Sequence, residues 1–166
     1  MTLSRRLLLL GIAVGLSGCG ASRFRSYDGP EVTRIVVFKD ELRMYLMHHD
    51  TVLRGFDIDL GFAPVGPKEV EGDGKTPEGR YRIDRRNPNS SFHLSLGISY
   101  PNTADVARAR AMGQSPGGDI FIHGQPNLTG PRTGENWTAG CIAVTNREME
   151  DIYAMVKNDT PIDIYP

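Results

Sequence analysis

Between residues 33 and 59 the chain passes through three short β-type runs separated by turns, and this limits it to a fold built around a sheet. Thr33 to Lys39 is β-branched, Asp40-Glu41 turns, and Leu42 to Met47 alternates like a half-buried strand. Asp50 turns again into Thr51 to Asp59. The spacing predicts consecutive antiparallel hairpins. His48 and His49 fall on successive positions, so as strand residues they would point to opposite faces.

Downstream, a Gly/Pro-rich loop spans residues 61–79, in which Thr76-Pro77-Glu78-Gly79 suits a type I turn. Further strands are predicted over 80–84, 93–100, 119–123, 141–144 and 161–165. Helices are predicted over 103–112, stopped by Gly113, and over 146–157, where Thr145 and Glu148 make a capping box. The expected fold is mainly β, a closed or sandwiched sheet with two helices.

The N-terminus reads as a targeting segment. Arg5-Arg6 precedes an apolar stretch from Leu7 to Leu16, too short to span a bilayer as a stable helix. Leu16-Ser17-Gly18-Cys19 matches a lipoprotein processing site, and Ser4-Arg5-Arg6-Leu7-Leu8 also resembles a twin-arginine signal. The expected organisation is a signal over residues 1–18, a tether over 19–30 and one domain over 31–166. Cys19 would carry a lipid that anchors the protein in the cell envelope, facing the periplasm, with the outer membrane favoured because Gly20 rather than Asp follows the cysteine. Removing the signal takes away two of the 19 basic residues and none of the 20 acidic ones. The mature chain is slightly acidic, which gives no reason to expect a nucleic-acid partner.

Beyond Cys19 one thiol remains, Cys141, in the run Trp137-Thr138-Ala139-Gly140-Cys141-Ile142-Ala143-Val144. His123-Gly124 lies 18 residues upstream, at the end of the apolar run Ile120-Phe121-Ile122. An unpaired thiol in an oxidising compartment, with a histidine to deprotonate it, points to nucleophilic acyl transfer. The plain alternative is a buried structural cysteine packed as a small hydrophobe. Gly140 permits close backbone approach, so the amides of Gly140 and Cys141 form a candidate oxyanion hole. No metal-ligand spacing stands out, and no cofactor motif is present.

Strand, His-Gly, loop, Thr-x-Gly-Cys, strand resembles the YkuD-type L,D-transpeptidase domain. Upstream, Glu71-Gly72-Asp73-Gly74-Lys75-Thr76-Pro77-Glu78-Gly79-Arg80-Tyr81 is similar to that family's Gly-Asp-x-x-Thr-Pro-x-Gly-x-Tyr segment, so the resemblance covers about residues 31–166. It implies a YkuD-like β-sandwich or barrel and a thioester acyl-enzyme on Cys141. His123 would be the base, oriented by the Gly124 carbonyl, and peptidoglycan stem peptides the substrate. Two positions depart from the signature: Ala139 stands where the family carries His, and Ala143 where it carries Arg or Asn. The form Trp-Thr-x-Gly-Cys-Ile-Ala-Val resembles the divergent YafK-like branch, which implies a wall-linked lipoprotein as a further partner and leaves water and an amine both open as acceptor. A non-catalytic peptidoglycan-binding lipoprotein is the alternative of another class. Trp137, Thr138, Tyr100 and Arg132 are candidate substrate contacts. Trp137 and Tyr100 also suit packing roles, and Arg132 suits a solvated loop, as does Lys68.

Overall fold

The computed structural model describes residues 22–129 and 134–166. Cys19 and Arg132 lie outside the described residues. The predicted hairpins form as β1 (Arg34–Phe38), β2 (Arg43–His48) and β3 (Thr51–Asp57), and successive pairs are antiparallel. There follow β4 (Gly79–Asn87), β5 (Ser95–Ile98), α1 (Thr103–Ala111), β6 (Phe121–His123), β7 (Ile142–Ala143), α2 (Asn146–Met155) and β8 (Pro161–Tyr165). The eight strands make one sheet in the order β3-β2-β1-β8-β4-β5-β6-β7. The C-terminal strand β8 thus enters the middle, parallel to β1 and antiparallel to β4. Nothing in the alternation of β8 foretells that insertion, because periodicity sets a face and not a neighbour.

The sheet curls on itself through the residues after β3. The sequence predicts a strand to Asp59, but pairing with β2 ends at Asp57 and the chain crosses to the far edge. There Asp59 pairs with Ala143 and Gly61 with Thr138, so the two edge regions of the sheet meet. The inner faces supply a core of Ile35, Val37, Met44, Leu46, Phe56, Ile83, Leu96, Ile122, Ile142, Ile162 and their neighbours. α2 lays Met149, Ile152, Tyr153 and Met155 against it. Burying such side chains is worth roughly 1.5–3 kcal/mol each before entropy is counted.

Both helices start where capping chemistry places them. Thr145 and Glu148 make the predicted box on α2. Asn102 and Asp105 make a second on α1, with Asp105 buried and accepting from the Tyr81 hydroxyl at 3.0 Å. α2 ends at Met155, two residues short of the predicted end, because Val156 turns extended and inserts into the core. His48 and His49 do not oppose each other. His49 has φ of 52° in the β2–β3 turn, which brings the two rings to 4.5 Å between centroids. Residues ahead of β1 lie along α2: Arg25 pairs with Glu150 and Asp151, each at 2.7 Å, and the Phe24 ring sits 6.3 Å from Tyr153.

Candidate active site

β6 and β7 are parallel neighbours, with His123 opposite Ala143. His123 ends β6, and Cys141, one residue before β7, falls level with Phe121, so two residues 18 apart in sequence stand two positions apart along one face of the parallel pair. Both line one cavity of about 510 Å³. Asn87, Ser90, Ser91 and Ser95 form a polar wall, while Phe92, Phe121 and Trp137 form an aromatic one. Asp119, Thr138 and Ala139 complete the lining.

His123 is 4% exposed and closely held. Its Nδ1 lies 2.7 Å from the Gly124 carbonyl oxygen. A carbonyl only accepts, so Nδ1 carries the proton and Nε2 is left as the basic nitrogen. Gly124 is fixed in turn by its amide, which donates to the carbonyls of Phe92 at 3.0 Å and Leu94 at 3.3 Å. Two rings flank the imidazole, Phe92 at 4.5 Å and Trp137 at 5.6 Å between centroids. Burial among them pushes the His123 pKa below that of an ordinary imidazole, and the Gly124 hydrogen bond opposes this only in part.

The Cys141 thiol is partly buried. Burial pushes its pKa up, the Phe121 amide donating to Sγ at 3.4 Å opposes the rise, and the Asp119 charge adds to it. The thiol reaches the Asp119 carbonyl at 3.6 Å. Thiol up and imidazole down both disfavour a resting thiolate–imidazolium ion pair.

The turn before Cys141 corrects one sequence expectation. The Gly140 amide donates to Thr138 Oγ1 at 3.1 Å, so it is engaged and is not a free oxyanion donor. The Cys141 amide has no acceptor among the described residues and remains available. Thr138 is 4% exposed, and its hydroxyl donates to the Cys141 carbonyl at 2.7 Å. Thr138 thus closes the turn as well as lining the cavity. Trp137 lines the cavity with its indole N–H bound to Asp59 Oδ2 at 3.1 Å.

Tyr100 is placed away from this site. It is 5% exposed, its ring packs on Tyr81, and its hydroxyl donates to the Pro116 carbonyl at 3.0 Å; burial pushes its pKa up to about 12. Lys68 is buried and donates to Asp73 and to the Val70 carbonyl, each at 2.9 Å, so it is a loop brace and not a surface charge. Of the two substituted positions, Ala139 is exposed on the cavity wall, whereas Ala143 is fully buried in β7 and faces no part of the cavity. Sequence reasoning missed Asp59, Phe92, Asp119 and the serine wall. They come from loops and strand ends that carry no motif.

The Gly-Asp-Gly-Lys-Thr-Pro loop lies directly behind the cysteine turn. Thr76 Oγ1 accepts from the Gly61 amide at 3.1 Å, and the Ala63 amide donates to the Gly74 carbonyl at 3.0 Å. A Cβ on Gly140 would meet the Lys75 carbonyl oxygen at 2.7 Å. The YkuD model, which describes the L,D-transpeptidase catalytic domain, matches residues 32–164 and so takes in both motifs. The chain belongs to the YkuD family. It is 29% identical over 145 residues to YafK of Escherichia coli (strain K12), a protein named provisionally as an L,D-transpeptidase; the match covers 80% of this chain and 53% of YafK. Among solved structures, the helical cell shape determining protein Pgp2 of Campylobacter jejuni superposes with a TM-score of 0.61 at 30% identity, over 83% of this chain and 49% of Pgp2. Bd1075 of Bdellovibrio bacteriovorus shares the fold at a TM-score of 0.56 and 23% identity, over 81% of this chain and 48% of Bd1075. The chain therefore spans about half the length of these proteins.

Proposed function

We propose that this YkuD domain is a cysteine acyl-transfer enzyme acting on peptidoglycan stem peptides, held at the periplasmic face of the envelope by a lipid on Cys19. The observation that carries the reading is the shared cavity of Cys141 and His123, with the His123 tautomer set by the Gly124 carbonyl at 2.7 Å. Nε2 of His123 takes the thiol proton as Sγ attacks a stem amide carbonyl. The Cys141 amide donates to the oxyanion, an interaction worth on the order of 3 kcal/mol per donor in well-studied enzymes. That attack forms the S–C bond, and collapse of the tetrahedral intermediate restores the carbonyl and breaks the amide C–N bond, which leaves a thioester. The leaving amine takes the proton from Nε2. Water or an acceptor amine then gives its own proton to Nε2 and attacks the thioester, the C–S bond breaks, and Nε2 returns the proton to Sγ to regenerate the Cys141 thiol.

Hydrolysis proceeds at least as readily as transfer in this reading. Ala139 offers a methyl group to the cavity where the family carries an imidazole, so one polar hold on donor or acceptor is missing and water competes better for the thioester. A stem amide joining a lipoprotein to the wall is the favoured bond.

The test supplies crosslinked muropeptides, a lipoprotein-linked muropeptide and free acceptor stems together, with products and protein masses read by mass spectrometry. The wild-type chain should yield cleaved stems or released lipoprotein and a thioester mass on Cys141. Cys141→Ala should lose all turnover and keep its melting temperature. Undiminished activity in the alanine variant overturns the mechanism, and products consisting only of new crosslinks overturn the preference for water. No turnover and no adduct in the wild type favour the non-catalytic binding lipoprotein.

A further inference from the structure

Asp59 belongs to no motif, yet it touches both halves of the segment that carries Cys141. Its side chain addresses the residues ahead of the cysteine: Oδ1 accepts from the Asn136 amide at 3.3 Å and Oδ2 from the Trp137 indole N–H at 3.1 Å. Its backbone addresses the strand behind. The Asp59 amide donates to the Ala143 carbonyl at 2.9 Å, and the Ala143 amide donates back at 2.8 Å. Leu60 repeats the pattern, its amide donating to Asn136 Oδ1 at 3.0 Å and its carbonyl accepting from the Thr138 amide at 3.1 Å. The segment from Asn136 to Ala143 is thus stitched at both ends to one crosspiece.

The indole held by Asp59 is also a wall of the imidazole. Trp137 meets His123 edge to face at 5.6 Å and lies 6.2 Å from Phe92. Phe92 carries the carbonyl that fixes the Gly124 amide, and Gly124 carries the carbonyl that fixes His123 Nδ1. One side of the imidazole is therefore set by backbone and the other by the Trp137 ring. A Trp N–H keeps its orientation best when it has a specific acceptor, and a carboxylate is a stronger acceptor than a neutral group.

We infer that Asp59 is a positioning residue of this site, acting through Trp137 on His123 while its backbone registers Cys141, so that base and nucleophile are set by one side chain and its own peptide groups. The inference rests on the acyl-transfer reading, and it adds a requirement that the motifs do not contain. Asp59→Asn keeps the size of the side chain and the backbone bonds. An amide is neutral and accepts through only one of its two heavy atoms, so the Trp137 N–H is left with a weaker acceptor or with none.

The test uses the full chain and two readouts that need no turnover. One is the alkylation rate of Cys141 by iodoacetamide, followed on the Cys141 peptide by mass spectrometry so that Cys19 does not interfere. The other is the emission of Trp137, the only tryptophan in the chain, with its acrylamide quenching. Asp59→Asn should slow alkylation by about tenfold, a loss in keeping with misplaced reacting groups, and should shift the Trp137 emission with increased quenching. Trp137→Phe keeps an aromatic wall but removes the N–H, and should slow alkylation to a similar extent. In the double variant the two effects should not multiply, because they act through one hydrogen bond.

A merely structural role predicts a lower melting temperature with alkylation and emission unchanged in the folded protein, and that result overturns the assignment. Multiplying effects in the double variant also overturn it. Should Asp59→Asn fail to fold, Trp137→Phe decides alone: an alkylation rate equal to wild type sinks the inference. A wild type that turns over no stem peptide defeats the acyl-transfer reading, while these two readouts still judge Asp59.

Discussion

The two halves of the site are built differently. His123 lies within strand β6 and is fixed by layers: the Phe92 and Leu94 carbonyls hold Gly124, Gly124 holds Nδ1, and two rings hold the imidazole. Cys141 precedes its strand at the end of a turn that the Thr138 hydroxyl closes and that exclusion holds from behind. Gly140 adopts φ of 132°, and the Lys75 carbonyl occupies the space a side chain would need. A base has to keep one tautomer and one orientation, which hydrogen bonds specify well. A nucleophile needs a bare backbone around it, so that a substrate carbonyl can approach and an amide can point at the oxyanion. Its support must come from behind the turn.

That contrast predicts a large asymmetry between two glycine substitutions. Gly140→Ala forces a side chain into a backbone region that only glycine visits readily and against a backbone oxygen that cannot retreat. The strain alone costs roughly 1–3 kcal/mol, and its relief has to move the Cys141 amide. Turnover and Cys141 acylation should fall at least about a hundredfold. A Cβ on Gly124 would first meet Asn146 Oδ1 at 2.6 Å, the end of a side chain that can turn aside at the cost of its bond from the Gln125 amide, with His93 Cβ at 3.0 Å and the Phe92 carbonyl oxygen at 3.1 Å behind it. Gly124→Ala should lose less, and more through melting temperature than through rate. Equal losses in acylation, measured by intact mass at matched times, would erase the distinction.

The electrostatics sharpen the comparison further. Burial holds the His123 pKa below the ordinary imidazole value and the Cys141 pKa above the ordinary thiol value. A lowered imidazole pKa keeps Nε2 unprotonated down through pH 6.5, so the acidic limb of the Cys141 alkylation profile should lie below pH 6.5. A raised thiol pKa means that, without the base, the rate climbs with pH until above pH 9. His123→Ala should therefore slow alkylation at neutral pH by about 10²–10⁴-fold and leave a single alkaline limb. Fast, flat alkylation of the wild type through pH 5 would instead reveal a resting ion pair.

Most of the strand and helix pattern was legible because it is local. The alternation of Leu42 to Met47, the Thr145–Glu148 box and the Gly113 stop each act within a few residues. The Cys141–His123 pairing was legible through its motif. What escaped was set by neighbours distant in sequence. Asp59 reads as the end of a strand, yet it serves residues more than 70 positions away. The Gly140 amide looked free until Thr138 turned its hydroxyl onto it. Ala143 stands two residues after the nucleophile, on the same strand face, yet it is fully buried and does not line the cavity, which spacing alone does not reveal.

The smallest expected effect concerns the brace behind the cysteine turn. Burial alone would raise the Asp73 pKa, but hydrogen bonds from Lys68 Nζ and from the amides of Glu69, Lys75 and Val70 outweigh it and bring the value to about 2. With the folded value below the ordinary 3.8, the ionised carboxylate stabilises the native state fully above pH 3.8. That contribution fades as pH falls toward 2. The loop it organises ends at Lys75, whose carbonyl abuts Gly140, so loosening should reach the cysteine half of the site before the histidine half. Asp73→Asn should lower the melting temperature by a few degrees at pH 7, about what the loss of one such network costs a domain of this size. The gap between wild type and variant should close as pH is taken from 4 to 2, because wild-type Asp73 then loses its own charge. Paired melting curves across that range decide it: a gap that stays constant to pH 2 would show that the Asp73 charge does not brace the turn.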